Sequence, residues 1–97
     1  MNETQKLIQK KLENRVFLVY SIKEWEKLLL SLSPYCILYD YGGEYISGER
    51  VFEPLYLRVT EYYTNGLLDT GWGTLGFTSY YKDYVKEIDL DYWFNIL

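Results

Sequence analysis

The stretch Leu55-Tyr56-Leu57-Arg58-Val59-Thr60-Glu61-Tyr62-Tyr63-Thr64-Asn65-Gly66-Leu67-Leu68-Asp69-Thr70-Gly71-Trp72 decides the fold. Apolar residues alternate with polar ones through much of Leu55–Thr64, as they do in a half-buried strand. Asn65-Gly66 then supplies the pair best suited to the positive φ angles of a two-residue hairpin turn. Such a turn sets Thr64 opposite Leu67, Tyr63 opposite Leu68, Tyr62 opposite Asp69, Glu61 opposite Thr70 and Val59 opposite Trp72. Leu55, Leu57, Val59, Tyr63, Leu68 and Trp72 then face the core, and Tyr56, Arg58, Thr60, Tyr62 and Asp69 form the outer face. Glu61 falls on the core side near the turn, where the sheet edge lets it reach solvent. Gly71, Gly73 and Gly76 end or bulge the second strand.

Upstream, Asn2 caps a helix over roughly 3–14, with Gln5 as its reciprocal partner. Its apolar stripe is narrow, Leu7, Ile8 and Leu12, which places it on the domain surface or against another chain. Val16-Phe17-Leu18-Val19-Tyr20 reads as a buried strand. Ser21 and Glu24 open a stronger helix whose apolar face is Ile22, Trp25, Leu28, Leu29 and Leu32, and Pro34 ends it. Tyr35–Tyr41 is the next strand, and Glu44–Phe52 forms a short hairpin around Gly48. Downstream, Tyr80–Ile88 has Tyr81, Tyr84, Val85 and Ile88 on one helical side, with a strand as the competing assignment. Tyr92-Trp93-Phe94 is an apolar plug that packs back on the domain or pins a partner. The expected fold is α+β: one domain over 1–97, an antiparallel sheet of about four or five strands, and two or three helices packed on it.

The chain has 97 residues, and 48% are hydrophobic, enough for a single modest core. No apolar run approaches the ~18 residues of a membrane span. The first residues lack the apolar stretch of a secretory signal, and a lone cysteine fits a reducing compartment, so the expected location is cytoplasmic.

Histidine is absent and Cys36 is the only cysteine. Imidazole-based catalysis, thiol-rich zinc sites and an internal disulfide are therefore excluded. Asp89-Leu90-Asp91 resembles a pair of hard-cation ligands, but a divalent-ion site needs more converging oxygens than it supplies. Gly71, Gly73 and Gly76 lack the Lys-Ser/Thr of a phosphate loop. Neither a metal nor a cofactor is expected, and no catalytic residues are assigned. Cys36 reads as a buried small hydrophobe. Lys6, Lys10, Lys11 and Arg15 form the one basic cluster, interrupted by Glu3 and Glu13. It would be the footprint of any nucleic acid, although direct nucleic-acid binding is not expected.

The net charge is −4, and the excess acid lies after residue 50. Twelve tyrosines exceed what so small a core can hide, so several rings belong at the surface. Tyr39, Asp40, Tyr41, Glu44, Tyr45, Glu53, Tyr56, Tyr62 and Asp69 are the candidate partner-binding residues. Ring faces and carboxylates together suit a Lys/Arg-rich protein surface. The function expected is that of a small acidic, non-catalytic protein that binds and occludes a basic macromolecular partner. An anti-defence inhibitor of a nucleic-acid-handling enzyme, as a phage would encode, has this size and charge. One alternative is a small-ligand or nucleotide-binding protein with an aromatic pocket, using Arg58 and a loop of Gly71, Trp72 and Gly73. Another is an assembly protein that self-associates through its first helix and its Tyr92-Trp93-Phe94 segment.

Overall fold

The computed structural model describes residues 2–38, 54–74 and 85–96. Their elements are α1 (Glu3–Leu12), β1 (Arg15–Val19), α2 (Ile22–Leu32), β2 (Leu55–Thr64), β3 (Leu67–Thr74), β4 (Lys86–Glu87) and α3 (Leu90–Ile96). The four strands form one sheet in the order β3-β2-β1-β4. β1 and β2, and β2 and β3, are antiparallel; β4 joins β1 in parallel, which makes the sheet mixed.

The hairpin forms about Asn65-Gly66, both at positive φ (53° and 84°). Thr64 faces Leu67 and Tyr63 faces Leu68, as the two-residue loop requires. Beyond that the ladder shifts: Val59 faces Thr70 and Leu57 faces Trp72, so β2 carries extra residues between Val59 and Tyr63. Thr60 stabilises this irregularity, donating its hydroxyl to the Asp69 carbonyl (2.9 Å) and accepting from the Tyr62 amide (3.2 Å). Because the slip is an even number of residues, the buried and outer sides of the strands keep their parity.

Parity decides the layers. Phe17 and Val19 of β1 and Leu55, Leu57 and Val59 of β2 face the core that contains Leu12, Trp25, Leu28, Leu32, Leu90 and Trp93 from the three helices. Val16 and Tyr56 face the other way, packed with Val85 and the half-buried Leu18. Burying a Leu, Val or Phe side chain contributes about 1.5–3 kcal/mol, so the helical layer holds most of the stability.

Local signals explain the helices. Asn2 Oδ1 accepts from the Gln5 amide (2.8 Å), but the Gln5 side chain donates to the Pro34 carbonyl (2.7 Å) instead of returning to the cap. Ser21 Oγ accepts from the Glu24 amide (3.2 Å), and Glu24 reaches back to the Tyr20 amide (2.9 Å). Asp89 caps α3 by accepting from the Tyr92 amide (3.2 Å). Asp91 lies in the first turn of the same helix. Trp93 is fully buried, with its Nε1 donating to Ser31 Oγ (2.8 Å) and its ring edge-on to Phe17 and Tyr35. Trp93 therefore packs back on the domain, whereas Tyr92 beside it is exposed.

Two sequence expectations are corrected. Residues 85–88 are extended, not helical, and Ile88 donates its amide to the Val16 carbonyl (2.9 Å). The described part of the Tyr35–Tyr41 segment makes a single parallel bridge, Cys36 to Leu68, beside β3. The hairpin expected at 44–52, the helix start at 80–84 and Gly76 lie outside the described residues.

A candidate groove between the first helix and the hairpin

Lys6, Gln9, Lys10 and Glu13 follow one another at helical spacing, so α1 and its C-cap present them on one side. The β2–β3 hairpin continues past the end of β1, whose pairing with β2 stops at Arg15–Val59. Its tip thus lies against α1 rather than against a fourth strand. Together they enclose an open groove of about 410 Å³, lined by Lys6, Gln9, Lys10, Glu13, Tyr63 and Gly66. A smaller hollow of about 220 Å³, lined by Glu3, Lys6, Leu7 and Lys10, adjoins it along the helix.

Gln9 joins the two elements. It is buried (2% exposed), and its Nε2 donates both hydrogens, one to the Tyr35 carbonyl and one to the Gly66 carbonyl, each at 3.0 Å. The Tyr35 carbonyl also accepts from the Leu68 amide (3.0 Å), so the bond to Gly66 is the one whose loss would leave a carbonyl unsatisfied. Tyr63, 45% exposed, forms a wall, and its hydroxyl donates to Glu13 Oε2 at 2.5 Å. Lys10 Nζ lies 3.7 Å from the other Glu13 oxygen. The Tyr63 phenol is pushed up to about 12, first by desolvation and then by Glu13, which accepts its proton in a hydrogen bond and would repel a phenolate.

The residues selected from sequence are distributed differently. Tyr39, Asp40, Tyr41, Glu44, Tyr45 and Glu53 lie outside the described residues. Tyr56 is not on an exposed face: it is 8% exposed, packed with Val16 and Val85. Tyr62 is 66% exposed at the hairpin tip, next to the exposed Glu61. Asp69 is half-buried and accepts from Thr64 Oγ1 (3.2 Å), so it braces the hairpin. Arg58, Gly71, Trp72 and Gly73 lie in the β2–β3 ladder rather than a loop. Arg58 donates to Asn14 Oδ1 (3.2 Å), and Trp72 packs edge-on to Trp25.

Gln9, Glu13 and Tyr63 did not stand out as site residues in sequence. A signal for Gln9 was present: it shares a helical stripe with Gln5, Ile8 and Leu12, which makes it the inward position and leaves Leu7 out, at 66% exposure. Among the described residues no three His, Cys, Asp or Glu side chains converge as a metal site. Cys36 is buried, and desolvation pushes its thiol up to about 12. No described helix is long and apolar enough to cross a membrane. Comparison with protein-family models, curated proteins and solved structures finds no match to this chain.

Proposed function

We propose that this protein is a non-catalytic binding protein that covers a basic surface of a macromolecular partner. The observation that carries this reading is the exposure of Tyr62 beside Glu61 at the projecting hairpin tip. An exposed aromatic ring at the end of a rigid two-stranded arm offers contact area with little conformational entropy to lose. The adjacent carboxylate and the chain's −4 charge favour approach to a Lys/Arg-rich surface. Tyr63, beside Tyr62 at the same tip, is 45% exposed and adds a second ring to that end of the hairpin. Enzymes that handle nucleic acids carry basic surfaces, and inhibition by occlusion of one is the role this chemistry suits.

The test is affinity capture from the native cell with the unaltered chain, Tyr62→Ala and Glu61→Lys side by side. The reading requires that both substitutions release the same captured protein while thermal unfolding stays unchanged. Equal capture by all three chains would refute the hairpin tip as the contact.

A further inference from the structure

The groove between α1 and the hairpin brings together a buried amide, two lysines and an exposed aromatic ring. Gln9 uses both amide hydrogens inside the protein, and its Oε1 accepts no hydrogen bond from any described residue. Since Gln9 lines the groove, that oxygen is the acceptor it has left for a ligand. On the rim stand two ammonium groups one helical turn apart. Lys6 makes no ion pair among the described residues, and Lys10 has only a long, exposed contact with Glu13 (3.7 Å), cheap to release. Tyr63 offers a ring as one wall, held in place by its hydroxyl on Glu13.

We infer that this groove binds a free purine nucleoside monophosphate bearing an exocyclic amine. The base stacks on Tyr63, its amine donates to Gln9 Oε1, and the phosphate lies between Lys6 and Lys10. The volume of about 410 Å³ is within the range of small-molecule sites, and Gln9, Lys6 and Lys10 then each meet a group of opposite character. Glu13 opposes the phosphate only in part, because it is held by the Tyr63 hydroxyl and Lys10. This site does not involve Tyr62, so it stands or falls separately from the occlusion of a protein partner.

The experiment is calorimetric titration of the full chain with AMP at low salt, with amide chemical shifts recorded in parallel. Saturable binding is expected, with the largest shifts at Lys6, Gln9, Lys10, Tyr63 and Gly66. Purine ribonucleoside monophosphate, which lacks only the amine, should bind about three- to tenfold more weakly, the loss of one neutral hydrogen bond. Lys6→Ala, whose side chain supports no described contact in the fold, should weaken AMP by a similar factor. Any of four results overturns the proposal: no saturation by millimolar AMP, shifts centred elsewhere, equal affinity for the two nucleotides, or binding of a tetra-adenylate strand without AMP.

Discussion

The ring of Tyr56 lies directly over Gly73: a β-carbon built at Gly73 would come within 2.7 Å of the phenol oxygen and 2.8 Å of a ring carbon. The two residues face each other across the β2–β3 ladder, so the missing side chain of one makes room for the ring of the other. Gly73→Ala should therefore destabilise the fold by about 1–3 kcal/mol, because Tyr56 is packed against Val16 and Val85 and cannot move freely. Gly71, opposite Arg58, has nothing within 4 Å of a built β-carbon. Gly71→Ala should be neutral or stabilising by up to about 1 kcal/mol, through the lower entropy of its unfolded chain. Urea denaturation of the two variants side by side checks the contrast.

Gln9 is the polar tie between α1, the turn after α2 and the hairpin. Gln9→Leu leaves the Gly66 carbonyl without its donor, while the Tyr35 carbonyl keeps only the Leu68 amide, and should cost about 1–3 kcal/mol even though it adds apolar volume. Hydrogen exchange should show the hairpin turn and the Tyr35–Ile37 segment losing protection first. A variant as stable as the parent would show that water replaces the amide without loss.

Alkaline pH provides a test of the Tyr63–Glu13 contact. The phenol ionises at about 12 in the fold against an ordinary value of 10.0. Its contribution is whole below about 10 and is lost as pH rises from there to about 12, because the unfolded chain releases the proton first. Cys36, raised from 9.0 to about 12, acts in the same direction, so the comparison must be made against Tyr63→Phe. Over that window the parent should lose more stability than Tyr63→Phe does. Absorbance of the parent at alkaline pH should contain one late-ionising tyrosine that the variant lacks.

Cys36 should behave as an inert thiol. Buried and with ionisation pushed to about 12, it presents almost no thiolate at neutral pH. Its alkylation rate should follow the unfolding equilibrium: slow in buffer and rising steeply with urea. Rapid labelling of the folded chain would contradict its burial.

Trp93 should be the most sensitive single position of α3. It is fully buried against Phe17 and Tyr35, and its indole N–H is satisfied by Ser31. Trp93→Ala should cost about 3–5 kcal/mol and Trp93→Phe considerably less. Thermal melts followed by far-UV circular dichroism distinguish the two.

How far the fold could be read from sequence depended on how local each signal was. Asn65-Gly66 and the alternation before it specify a hairpin within a dozen residues, and that hairpin forms. The register failed past Tyr63 because the irregularity rests on Thr60 bonding to Asp69 and Tyr62, a contact that becomes visible only once the strands pair. Val85 and Ile88, three residues apart, suggested one helical side. In an extended segment the same spacing puts them on opposite faces, and both are buried because both faces of the sheet are covered there. Tyr56 was misplaced for a related reason: at that point the outer face of β2 is covered, with Tyr56 packed among Val16 and Val85. The groove was least legible, since Gln9 and Gly66 meet through a hydrogen bond that no short-range pattern encodes.

The parallel pairing of β4 with β1 bears on how the protein is made. One of the two neighbours of β1, Lys86–Glu87, is far downstream of it, and its core partner Trp93 follows later still. Until those residues are synthesised, β1 presents an unpaired edge and an uncovered Phe17, a nascent intermediate that invites chaperones or self-aggregation. A chain cut before Lys86 would therefore lose one neighbour of β1 and a ring partner of Phe17 together.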